Sequence, residues 1–130
     1  MRIALITLHT PSETNCGGAS ALPWHLLANR PEGVDVEVWS MNQNHISEAD
    51  SEEYARRGGY RLHFVKRDDV RLARALRLRA VRSLPPMCAL DLDAESERAI
   101  REGNFDGVWI DGEELSHIGR RFADKRGVMT

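Results

Sequence analysis

The run Ile3 to Leu8, inside "RIALITL", is apolar, carries β-branched residues and shows no alternation of apolar with polar side chains. A strand of that kind needs cover on both faces, which a parallel sheet flanked by helices provides. The run is also too short for other uses. A secretory h-region needs about 7 to 15 apolar residues, and a spanning helix about 20.

The rest of the chain alternates elements in the same spirit. "VDVEVWS" at 34–40 sets Val34, Val36 and Val38 against Asp35 and Glu37, and reads as a strand with one polar face, nearer a sheet edge. "YRLHFV" at 60–65 and "FDGVWID" at 105–111 read as strands three and four, and "GVMT" as the start of another. Between them the spacing predicts helices. The first covers about 18–30, with Pro23 in an early turn and Pro31 and Gly33 as stop signals. A short helix is expected near 51–57, and another over 68–82, capped by Asp68 or Asp69. A further helix covers 94–102, ended by Gly103 or Asn104. The last starts at Glu113, with Leu115, Ile118 and Phe122 at helical spacing. Strand–helix alternation of this kind predicts an α/β, Rossmann-like three-layer domain, with a mostly parallel sheet and helices on both faces.

Composition narrows the function classes. A net charge of -2 gives no global drive toward nucleic acid or membrane. The two cysteines, Cys16 and Cys88, form no CxxC pair. Reduced, cytoplasmic thiols are expected rather than a disulfide or metal framework. No HxxxH pairing suggests a metal. A basic stretch contains Arg71, Arg74, Arg79 and Arg82. It reads as a solvated helix face balanced by the acidic segment 91–114, or as a surface for anionic lipid. Aromatic residues for base stacking are not interleaved there, so nucleic acid is not expected.

In open α/β sheets, ligands bind beyond the carboxyl ends of the strands. That rule selects residues 9–20, 40–44 and 111–114. With strands one and four as central neighbours, the first and third groups share one crevice. Gly17 and Gly18 precede a helix, and a helix N-terminus favours an anion. Ser20 adds a hydroxyl. Taken alone, the glycine pair favours a simple turn; its place in the sheet order shifts the reading toward a phosphate-facing loop. Neither GxGxxG, GK[ST] nor GxSxG is present. Asp111, Glu113 and Glu114 can hold sugar hydroxyls or act as a base, or can offset a helix dipole. His9 either reaches the same crevice or lies exposed on its loop.

"MRIALITLHTP…CGGAS", then "RSLPP" and "REGNFDGVWID", resemble the N-terminal domain of GT-B-fold, retaining, sugar-nucleotide-dependent glycosyltransferases of the group 1 (family 4-like) type. The resemblance spans most of the chain through short motifs. It implies an acceptor-binding half domain, with Gly17, Gly18 and Ser20 facing the donor diphosphate. It implies Asp111 as the catalytic position, where many members carry histidine and some an acid; Trp109 stands where another histidine is frequent. His9, Glu113 and Glu114 fall on the acceptor side. The nucleotide-sugar donor is bound by a C-terminal domain that these 130 residues lack, and no metal is required. The chain alone is expected to be inactive, acting in the full enzyme on a sugar, lipid-linked or small-molecule acceptor. The expected location is the cytoplasm, peripherally at the inner membrane face, with homo-oligomerisation through an exposed sheet edge. The alternative is a stand-alone α/β binding or interaction module without catalysis.

Overall fold

The computed structural model describes residues 1–14, 17–66, 77, 90–124 and 128–129. Apart from residue 77, the expected helix over 68–82 lies outside the described residues, and so do Arg71, Arg74, Arg79 and Arg82, Cys16 and Cys88.

The sheet contains β1 (Arg2–Thr7), β2 (Asp35–Ser40), β3 (Arg61–Phe64), β4 (Gly107–Asp111) and β5 (Val128–Met129). All pairings are parallel, in the order β3-β2-β1-β4-β5. The order reverses between β1 and β4, so their carboxyl ends form the topological switch point. Among the described residues the helices are α1 (Gly18–Ala28), α2 (Glu48–Gly58), α3 (Ala94–Glu102) and α4 (Ser116–Gly119).

Two cores confirm the three-layer, Rossmann-like α/β arrangement. On one face Leu5, Val36 and Val38 pack with Trp24 and Leu27 of α1 and Ala55 of α2. On the other, Ala4, Ile6, Val108 and Ile110 meet Ile100 of α3 and Leu115, Ile118 and Phe122. β1 therefore buries both faces, as its unbroken apolar run predicts. Among the described residues, no helix is long and apolar enough to cross a membrane.

Local signals explain most boundaries. Ser47 caps α2 by accepting from the Asp50 amide at 3.2 Å, and Gly59 ends it in the left-handed region, at φ 68°. Asp93 caps α3 through the Ser96 amide.

Two expectations are corrected. β2 lies one strand in from the edge strand β3, but its polar face is not open to solvent: Glu37 on it is only 8% exposed. The last helical stretch runs unbroken from Glu113 to Phe122, but only four of its residues are α-helical. Tightened 3₁₀ turns at Glu113–Leu115 and Arg120–Phe122 flank the four-residue α4. No side chain caps its start. Its apolar spacing holds nevertheless, since Leu115, Ile118 and Phe122 are fully buried.

Candidate functional site

β1 and β4 run in register, so that Thr7 and Asp111 are Cα partners at their carboxyl ends. Thr7 is fully buried. Its hydroxyl lies 3.1 Å from Asp111 Oδ2 and 2.9 Å from the carbonyl oxygen of His9, with the hydroxyl as donor to both. Asp111 is half-buried. Burial raises its pKa above the ordinary carboxylate value. The Thr7 bond and the charge of His9 pull it down, and Glu114 pushes it up.

His9 sits half-buried on the loop after β1. Its Nδ1 is buried and has no hydrogen-bond partner in the described structure. Across the crevice, Gly112 turns the chain at φ 117°. That φ favours glycine, while a Cβ there would sit 3.2 Å from Glu114 Oε2 and 3.5 Å from Leu8 Cβ, placing the Glu114 turn beside the β1 loop. Glu114 is half-buried, and Glu113 is exposed in the same turn.

The expected residues divide into two groups. His9, Asp111 and Glu114 come together electrostatically at the crevice. Gly17 and Gly18 are exposed at the open N-terminus of α1. That terminus has no side-chain cap and no acid in its first turn, and a Cβ on either glycine would meet nothing within 4 Å. A helix start of this kind, with its dipole, favours an anion. Ser20, by contrast, is fully buried and bonds inward, its hydroxyl accepting from Ser12 Oγ at 3.1 Å.

The second predicted place, 40–44, is closed upon itself. Thr10 Oγ1 lies 2.7 Å from Ser40 Oγ and 2.8 Å from Asn42 Oδ1. The Thr10 backbone exchanges two hydrogen bonds with the Asn44 side chain. These polar groups hold the β1 and β2 loops together.

Two further histidines make structural contacts. His117 places its ring nitrogens 3.1 Å from the Glu114 carbonyl and 2.8 Å from the Leu90 carbonyl. His63 stacks on Trp39 and contacts Glu37. A separate hollow of about 210 Å³ lies beside Trp39, His63 and Lys66. Its charges are already engaged, Asp93 in capping α3 and Lys66 with Glu95. Among the described residues, no group of three or more His, Cys, Asp or Glu is arranged to hold a metal ion.

Sequence reasoning overlooked Thr7. A threonine closing an apolar strand reads as a β-branched strand residue. Its role emerges only when β4 is placed beside it. In comparisons with known proteins, no family model, no curated protein and no solved structure matches the chain.

Proposed function

We propose that this chain is the acceptor-side domain of a GT-B-type glycosyltransferase. It would act with a separate donor domain to move a sugar from a nucleotide sugar to a sugar, lipid-linked or small-molecule acceptor. The observation that carries the reading is the pairing at the switch point: a half-buried carboxylate with a raised pKa beside a histidine, in a fold whose α1 begins with an open, acid-free glycine pair. Asp111 would accept the proton of an acceptor hydroxyl. His9 and Glu114 would orient the acceptor, and Gly17 and Gly18 would approach the donor diphosphate. Nucleotide and second domain supply the rest, so the isolated chain binds acceptor without turnover.

Chemical-shift mapping with a panel of saccharides at millimolar concentration tests this. The expected perturbations centre on residues 9 and 111–114 and weaken in Asp111→Asn. If no saccharide perturbs these amides, the acceptor reading fails.

A second reading, a binding module without catalysis, is favoured by the mutual bonding of Thr10, Ser40, Asn42 and Asn44. That bonding withdraws one of the three predicted ligand-facing places. Saccharide binding that is indifferent to Asp111→Asn would support it.

A further inference from the structure

We infer that Thr7 is a positioning residue that couples the protonation of Asp111 to the geometry of the His9 segment. The inference takes Asp111 as the working carboxylate of the proposed site. Thr7 has one hydroxyl hydrogen and two acceptors within reach, Asp111 Oδ2 at 3.1 Å and the His9 carbonyl at 2.9 Å. One hydrogen cannot serve both fully.

When Asp111 is ionised, the charge-assisted bond prevails and the hydrogen turns to Oδ2. When Asp111 is protonated, its own O–H donates to Thr7 Oγ1, and the Thr7 hydrogen passes to the His9 carbonyl. The only bond that changes is the O–H at Asp111, formed when it takes up a proton and broken when it releases one; the Thr7 hydroxyl keeps its own hydrogen and rotates. Thr7 is fully buried, so solvent does not take over either bond at the hydroxyl.

The His9 segment then senses the carboxylate. An acceptor proton delivered to Asp111 would tighten the loop that carries His9; its departure would loosen it. The surrounding charges set where this happens. His9, from the loop after β1, favours the ionised form, and Glu114, from the turn after β4, opposes it. The end of β2 contributes neutral groups: the Met41 amide bonds the Thr7 carbonyl, and Ser40 and Asn42 face Thr10. The first turn of α1 carries no acid.

The test follows Asp111 ¹³Cγ and Thr10 ¹⁵N against pH in the labelled chain, because the Thr10 amide nitrogen shares its peptide group with the His9 carbonyl. The comparison is made in His9→Gln, which removes the imidazole titration and keeps the carbonyl. The expected result is a Thr10 transition with the same midpoint as Asp111. Thr7→Val should shift the Asp111 midpoint upward and abolish the Thr10 transition, and Thr7→Ser should restore both. A flat Thr10 signal through the Asp111 titration overturns the inference, and so does an unchanged transition in Thr7→Val. Should Thr7→Val fail to fold, the His9→Gln titration decides alone. None of these readouts uses a sugar, so their failure is distinct from failure of the glycosyltransferase reading.

Discussion

Arg30 and Gly58 join the two helices that cover one face of the sheet: Arg30 Nη1 donates to the Gly58 carbonyl at 2.8 Å, from the end of α1 to the end of α2. The same guanidinium donates to the carbonyls of Leu27 at 2.7 Å and Val34 at 2.8 Å, and to that of Gly59. A fixed fork of donors thus satisfies the carbonyl ends of both helices and places a positive charge against both dipoles.

Arg30→Ala should therefore cost about 2 to 3 kcal/mol, since charged hydrogen bonds are lost and helix-end carbonyls left unmet. Arg30→Lys should recover only part, because a single ammonium cannot reach all four acceptors. Urea denaturation of the three proteins checks the order. Equal stability of Lys and Ala variants would show that charge contributes nothing here.

Asp111 gives a pH signature. Its folded pKa lies above the ordinary value of 3.8, chiefly through burial. The folded state then holds the proton more tightly than the unfolded chain. Stability from this group is full below about 3.9, and is lost as pH rises through the raised folded value. Asp111→Asn keeps an acceptor for Thr7 and has no charge to desolvate. It should be more stable than wild type at neutral pH, with the advantage vanishing in acid. Denaturation midpoints of the two proteins from pH 3 upward, in roughly unit steps, read this directly; a constant gap would refute it.

Glu37 is only 8% exposed, yet three side chains reach it: the guanidinium groups of Arg2 at 2.8 Å and Arg61 at 2.6 Å, and the His63 ring at 3.1 Å. The partners differ in burial, because the Arg2 and Arg61 side chains remain 39% and 60% exposed. Removing the carboxylate leaves cations that water can solvate; removing the arginines strands a buried anion. Glu37→Gln should cost about 1 to 2 kcal/mol, and the double variant Arg2→Met/Arg61→Met more. Thermal or urea unfolding that reverses this ranking would remove the argument.

These cases show what the sequence made legible. The two-sided burial of β1 and the inward spacing of Leu115, Ile118 and Phe122 follow from pattern alone, because each depends on its own segment. Glu37 does not: Val36-Glu37-Val38 alternates like a half-exposed strand, and its neutralising partners come from β1 and β3. Thr7 is hidden for the same reason, since its meaning comes from Asp111, 104 positions away. The hydroxyl of Ser20 was visible, but not that Ser12 would draw it inward.

Tyr60 ties the end of α2 to the loop entering the crevice. Its buried hydroxyl donates to the Pro11 carbonyl at 3.1 Å, and burial pushes its pKa well above the usual tyrosine value. Tyr60→Phe should cost about 1 kcal/mol and speed amide exchange in residues 8–12 more than in the sheet. Exchange that rises uniformly would mean that the bond supports global stability rather than this loop.

The glycine pair separates a turn from a ligand contact. Gly17 sits at φ 56° and ψ -138°, a region for glycine. Gly18 has no positive φ, and a Cβ on it would meet nothing within 4 Å. Gly17→Val should destabilise by about 1 to 3 kcal/mol through backbone strain alone, so its loss of function would be ambiguous. Gly18→Val should leave stability within about 1 kcal/mol of wild type, while its branched side chain occupies the space before α1. If the pair serves as a phosphate-facing loop, inorganic pyrophosphate will shift the amides of Gly17, Gly18 and Ala19 in wild type and not in the folded Gly18→Val protein. If pyrophosphate binds both equally, or neither, the pair shapes a turn and nothing more.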